Sequence, residues 1–178
     1  IETLRFSDGV VLDWKIRRLP LPIKQADPAD RAAAEALLAA HPAPWWQEDN
    51  PAQAQWEWMD AAMLMSVELE RERTDGLYDY EIQALRIGDV ALVGLPGEPF
   101  VEGQLAIKIG SPAYPTYVAH GTTDYAGYIA PIAAYARGGH EIRTTPAKWA
   151  KLEPGALERI QQAAIEVLEE LFAKTPAA

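Results

Sequence analysis

Six consecutive apolar residues, Val90-Ala91-Leu92-Val93-Gly94-Leu95, stand between two turn signals, Gly88-Asp89 before them and Pro96-Gly97 after. The run is short, bounded by glycine and proline, and does not alternate, so it predicts a central strand covered on both faces. A strand of that kind demands a sheet with layers on either side of it. Leu77 to Ile87 reads as a strand leading in, and Thr116 to His120 as a strand that follows. Near the start, Val10, Leu12, Trp14 and Ile16 alternate with Asp13, Lys15 and Arg17. This period of two predicts a strand whose apolar set is its buried face. Thr3 to Phe6 reads as a short strand before it, joined through Ser7-Asp8-Gly9. Leu19-Pro20-Leu21-Pro22 is expected to end the ladder, because proline has no N–H to donate.

The intervening stretches carry helix signals. Asp27-Pro28 reads as an N-cap followed by proline at the first helical position, with the helix running to about Ala40 and stopped by His41-Pro42. Asn50-Pro51 predicts a second start, for a helix to about Arg73 with Trp56, Met59, Met63 and Val67 on its buried face and Glu68, Glu70, Arg71 and Glu72 towards solvent. Both helices are expected to pack on the sheet. A further helix is predicted from Phe100 to Ile109, a short one from Pro131 to Gly138-Gly139, and a last one from Pro154 to Lys174 that buries Leu157, Ile160, Ala164, Val167, Leu168 and Leu171. Strands alternate with helices, so the class is α/β, a mixed sheet with packed helices in one domain over residues 1–178.

Composition excludes several function classes. With 16 basic against 26 acidic residues, the net charge of −10 has the wrong sign for a nucleic-acid binder. The one tight basic cluster, Lys15 to Arg18, sits inside a predicted strand. Cysteine is absent, which removes disulfides, thiolate metal sites and a cysteine nucleophile together. There is no phosphate-binding glycine loop and no G-x-S-x-G elbow. No apolar run reaches the roughly 18–20 residues that span a bilayer as a helix.

In an α/β fold, polar residues just beyond the carboxyl end of a buried strand are favoured for a site. Glu98 occupies such a position, and the same place suits a carboxylate that merely offsets a helix dipole. Tyr125 and Tyr128 lie in a glycine-flanked loop after the next strand, where a tyrosine also serves by bonding its hydroxyl to backbone. Asp124 reads equally as a turn residue or a ligand. His120 and His140 are placed to reach a pocket near Tyr128, whereas His41 reads as a capping or surface residue; no pair has metal-binding spacing on one element. The tryptophans Trp45, Trp46, Trp56 and Trp58 are expected to pack two helices together.

Two strings carry a resemblance. Gln83 through Gly94-Leu95-Pro96-Gly97-Glu98-Pro99-Phe100 resembles the closing part of the catalytic domain of neutral/alkaline ceramidases, above all their shorter bacterial relatives. Asp124-Tyr125-Ala126-Gly127-Tyr128-Ile129 through Tyr135 to Gly139-His140-Glu141 resembles a second signature of the same family, in the same order. The similarity covers about residues 80–141.

The resemblance implies a zinc-dependent amidohydrolase of sphingolipid metabolism that cleaves the N-acyl bond of ceramide or a related lipid amide. It implies Glu98 and Tyr128 as Zn2+ ligands, with Tyr128 also close to the reacting carbonyl. Two positions depart from the family: His140 stands where a further catalytic tyrosine is expected, and Thr123 where an asparagine is expected. Imidazole can donate to an oxyanion or act as general acid, so His140 is a candidate catalytic residue with a different pH response. The family's zinc histidines and active-site serine belong to an upstream segment that this chain does not contain. The chain is therefore expected to be the C-terminal portion of a larger catalytic domain, inactive alone, with that upstream segment as its partner. The resemblance also suggests a secreted or periplasmic setting. The alternatives are a non-catalytic family member acting as a binding or structural subunit, and a hydrolase of a different amide or ester.

Overall fold

A computed structural model of the chain describes residues 9–173. The expected strand at 3–6 and the end of the last helix at Lys174 lie outside them. A four-stranded mixed sheet forms the frame. Its strands are β1 (Leu12–Pro22), β2 (Leu77–Ile87), β3 (Val90–Leu95) and β5 (Thr116–His120), side by side in that order. β1–β2 and β2–β3 are antiparallel, and β3–β5 is parallel. Between β3 and β5 the chain makes the two-residue strand β4 (Glu98–Pro99) and helix α3 (Val101–Gly110), the crossover that a parallel pair requires. Helices α1 (Pro28–Ala40) and α2 (Trp56–Arg73) fill the gap between β1 and β2, and α4 (Ala156–Phe172) closes the described chain. The architecture is the mixed α/β class that the alternation of elements implies.

The core lies on one face of the sheet. Tyr80, Ile82, Ala84, Ala91, Val93 and Leu95 meet Ile107 of α3 and the apolar stripe of α4, where Leu157, Ile160, Ala164, Val167, Leu168 and Leu171 are all buried as their spacing predicts. Covering of β3 on both faces is corrected: Ala91, Val93 and Leu95 are buried, but Val90, Leu92 and Gly94 on the other side are only half-buried.

β1 corrects the reading of its faces. Leu12 and Trp14 are 72% and 66% exposed, and Ile16 is exposed as well. The charged set turns inward instead: Lys15 pairs with Glu170 and Arg17 with Glu166 and Glu170, all on α4. The basic cluster is thus tied into the fold, with Arg18 on the outer side pairing Asp79 and Glu81. Nor do the prolines end the ladder, since β1 continues to Pro22 opposite Leu77. β1 is an edge strand, where a missing N–H costs nothing on the open side. On that side the Pro20 carbonyl accepts from Arg159 and the Pro22 carbonyl from the Glu153 N–H.

α1 is capped by the Asp27 side chain, which accepts from Ala29 N at 2.8 Å, with proline in the first turn. α2 starts at Trp56 rather than Pro51, because the residues before it form a small hairpin in which Gln47 N–H donates to Gln53 O and Gln55 N–H to Trp45 O. Its buried residues are Ala61, Leu64, Val67 and Glu68, and Trp56 is 53% exposed. Glu68, expected towards solvent, is 2% exposed and accepts from Ala26 N at 2.7 Å and Arg31 at 3.2 Å, tying the entrance of α1 to α2. α1 packs on α2 through Ala34, Ala61 and Leu64, and only Val67 of α2 joins the sheet's core. The tryptophan cluster joins the two helices only at their ends: Trp58 of α2 donates to the carbonyl of His41, which caps α1, and the Trp45 ring lies tilted against His41, while Trp46 and Trp56 are exposed. The short helix after Pro131 is a single turn, Ile132–Ala134. No helix among the described residues is long and apolar enough to cross a membrane.

Candidate functional site

Beyond the carboxyl end of β3 the chain turns sharply at Pro96-Gly97 and forms β4, which pairs in parallel with β6 (Tyr128–Ile129). The register sets Glu98 directly beside Tyr128. Residues opposite one another on paired strands share a face, so both side chains reach the same depression. Backbone bonds fix the pairing: Glu98 N–H donates to Gly127 O at 2.8 Å, Phe100 N–H to Ile129 O at 3.0 Å, and Tyr128 N–H to Trp149 O at 2.7 Å.

Two glycines make this approach possible. Gly97 and Gly127 have φ of +71° and +77°, and a Cβ at either would meet a backbone carbonyl oxygen at 2.6 or 2.7 Å. Hydrogen bonds secure the turns from behind. Tyr80, fully buried, donates its hydroxyl to Pro96 O at 2.9 Å. Gly97 N–H donates to Asp124 O, and Tyr78 donates its hydroxyl to the Asp124 carboxylate at 2.7 Å. Lys151 lies over the Tyr78 ring and pairs with Glu70 at 2.6 Å. The bond from Tyr78, with the Tyr125 N–H, holds the Asp124 carboxyl below its usual range. Asp124 is therefore a loop-fixing residue in this fold.

The depression has a volume of about 400 Å³ and is lined by Glu98, Pro99, Phe100, His120, Tyr128 and Glu141. It holds two carboxylates and no lysine or arginine. Burial and then the nearby Glu98 charge push the Tyr125 hydroxyl up. His120 arrives from the carboxyl end of β5, the same kind of position that singles out Glu98. Glu141 follows the turn at Gly138-Gly139 and is a lining residue that spacing alone does not mark. His140 goes elsewhere: its ring stacks on Trp149 at 5.2 Å and lines a neighbouring depression with Trp56, Asp60, Arg143 and Trp149.

A carboxylate and a phenol side by side are hard oxygen donors suited to two positions around a zinc ion. Among the described residues, no group of three or more His, Cys, Asp or Glu side chains converges to hold a metal. Glu98 and Tyr128 therefore fit part of such a site, and the described chain does not fit a complete one. Thr123, where the resemblance expects asparagine, has φ +64°.

No protein-family model matches the chain, and no curated protein matches it. Solved structures do. The chain is similar to a ceramidase complexed with C2, at 14% identity and a TM-score of 0.50, over 94% of this chain and 32% of that one. It also aligns with neutral ceramidase from Pseudomonas aeruginosa at 17% identity and a TM-score of 0.48, over 94% of this chain and 30% of that one. The first likeness is one of fold: residues arranged as in a ceramidase, in a chain that spans about a third of the length of the structure it matches.

Proposed function

We propose that this chain is part of a ceramidase-like amidohydrolase, in which Glu98 and Tyr128 are two ligands of a zinc ion and the substrate is ceramide or a related N-acyl lipid amide. The observation that carries the reading is the register that sets a carboxylate and a phenol side by side over one anionic depression, in a ceramidase-like fold. A zinc ion held there would polarise the amide carbonyl and lower the pKa of a bound water. The chain's own residues have defined parts. Tyr125 lies near Glu98 and is the phenol that the carboxylate's charge acts on. Tyr128, as a ligand, would hold the zinc beside the reacting carbonyl, and where its oxygen does not bind the metal its hydroxyl is the donor for the developing oxyanion. His120 and Glu141 at the rim are the groups able to hold or pass a proton to the departing amine. The upstream part of the fold supplies the remaining donors, so the chain alone is inactive.

The test is metal content of the complete protein, purified without a metal-affinity tag. About one zinc per chain is expected, with loss of metal and of turnover in Glu98→Ala. Retention of both in that variant rejects the assignment. A second reading, a non-catalytic subunit with the same fold, draws on His140, which is stacked on Trp149 outside the Glu98 depression. Hydrolysis of short N-acyl amides by the complete protein separates the two.

A further inference from the structure

The two faces of the mixed sheet have different fates. One is sealed by α3 and α4. On the other, Leu12, Trp14 and Ile16 of β1, Leu85 and Ile87 of β2 and Tyr117 of β5 are all exposed. Register aligns them: Trp14 is opposite Leu85, Leu85 opposite Leu92, and Leu92 opposite Tyr117, an apolar row across all four strands. A second row sets Leu12 beside Ile87 and Ile87 beside Val90. The other end of the same face is polar, with Arg18 opposite Glu81 and Pro20 opposite Asp79. Six large side chains about half exposed or more present on the order of 600 Å², at the top of the range for the largest apolar patch on a soluble monomer.

Strand β1 sharpens the point. The stretch Leu12, Trp14 and Ile16 forms an apolar face that stays open, while Lys15 and Arg17 share with the packed Leu19 and Leu21 the face turned onto α4 and the core. Sheets with an apolar face on every strand are completed by another layer. The matched ceramidase structure has room for one, because about two thirds of its length lies outside the segment that this chain covers. A second copy of this chain is the poorer occupant, since two chains of net charge −10 repel.

We propose that the outer face of the β1-β2-β3-β5 sheet seats a protein layer supplied by the part of the ceramidase-like fold that this chain does not span. β3 and β5 carry the apolar row through Leu92 and Tyr117, and lead at their carboxyl ends to Glu98 and His120. The layer that covers the row is therefore the one positioned to bring the missing metal donors to the depression. This last step rests on the proposed function, whereas the docking rests on the sheet alone.

The experiment places the photo-crosslinker p-benzoylphenylalanine at Trp14, and separately at Tyr117, in the chain expressed in its source cells. Both sites are exposed, lie on different strands and exchange one aromatic ring for another. Cross-linked peptides are sequenced by mass spectrometry, with the same group at Glu35 on the exposed side of α1 as control. Both positions are expected to label one protein segment that aligns with the unmatched part of the ceramidase fold. Labelling of a second copy of this chain, labelling of a protein without that alignment, or no labelling above the Glu35 control overturns the proposal. Zinc analysis of the same material keeps the two readings apart. Cross-linking without zinc leaves the docking standing and the metal reading refuted, and zinc without cross-linking does the reverse.

Discussion

Gly127→Ala measures whether the close approach of two turns is what brings Glu98 beside Tyr128. The residue has φ +77°, and a Cβ built there stands 2.7 Å from both the carbonyl carbon and the oxygen of Trp149. A β-carbon in left-handed backbone costs about 1 kcal/mol before any contact is counted. Relieving the clash requires a shift of roughly 0.6 Å against backbone that has no rotamer to change. That shift loosens two bonds: Tyr128 N–H to Trp149 O at 2.7 Å and Glu98 N–H to Gly127 O at 2.8 Å. Each contributes about 1 kcal/mol net, so the whole comes to about 3 kcal/mol. Gly138→Ala is the matched control, with φ +68° and nothing within 4 Å of a Cβ, and it should cost only the backbone share of about 1 kcal/mol. Urea denaturation reads both as a shift in midpoint at unchanged slope. Equal costs for the two variants, within about 0.5 kcal/mol, would refute the reasoning, because the contact with Trp149 would then contribute nothing.

Other perturbations separate the supports of the site from its surroundings. Tyr80→Phe removes a buried hydroxyl and leaves the buried Pro96 carbonyl without its donor, so a loss of about 1.5 kcal/mol is expected in urea denaturation, with no pH dependence between 6 and 8. Lys24 is buried with its ammonium donating to the Arg143 and Ala150 carbonyls; burial, aided by Arg143 and opposed by Glu153, pulls it down to about 8. An unfolded lysine keeps its proton to about 10.4, so the unfolded chain binds more protons between those values and stability should rise by about 2 kcal/mol from pH 7 to 10. Lys24→Met should flatten that rise in denaturation midpoints; an unchanged slope would show that Lys24 is not its source. Thr123→Asn places a residue tolerant of left-handed backbone at φ +64°, and a gain of about 0.5–1 kcal/mol in midpoint stability is expected.

Legibility followed physical locality. α1 declares itself through Asp27 and Pro28, which act on the first turn of their own helix. The stripe of α4 repeats at helical spacing on one side only, so its large buried side chains were readable, and only the small Ala156 and Ala163 beside them were missed. α2 was misread at its start because Asn50-Pro51, a capping signal in isolation, is captured by a hairpin with Trp45 and Gln47. Glu68 was misread because a carboxylate at a helix position says nothing about an amide and a guanidinium arriving from another element. At the site, Glu98 was visible as the polar residue after a buried strand. Its pairing with Tyr128 followed only from the family likeness, since no local pattern encodes the register of two short parallel strands. Glu141 was hidden for a similar reason: the left-handed turn at Gly138-Gly139 decides which of two adjacent side chains, His140 or Glu141, enters the depression.

The misreading of β1 has a different character. A period of two assigns residues to a face, but it does not say which neighbour that face will meet. The alternation of Leu12, Trp14 and Ile16 with Lys15 and Arg17 is respected in the fold, and the direction of the strand is inverted relative to expectation. What settles the facing is the far end of the strand, where Leu19 and Leu21 share the face of Lys15 and Arg17 and pack in the core, together with α4, whose Glu166 and Glu170 meet the two cations. Exposed pairs of this kind are worth little individually, typically below 1 kcal/mol, and they cannot outweigh the burial of a tryptophan and two aliphatic side chains. The core anchorage of Leu19 and Leu21 carries the inner face, and the outer row of Leu12, Trp14 and Ile16 is the surface on which the proposed covering layer would rest. Trp14→Glu should therefore leave the stability of the 178-residue chain within about 0.5 kcal/mol, while Val93→Glu on the sealed face should unfold it. A cost for Trp14→Glu near that of a core substitution, read by the same urea midpoints, would mean that the outer face is already buried within this chain.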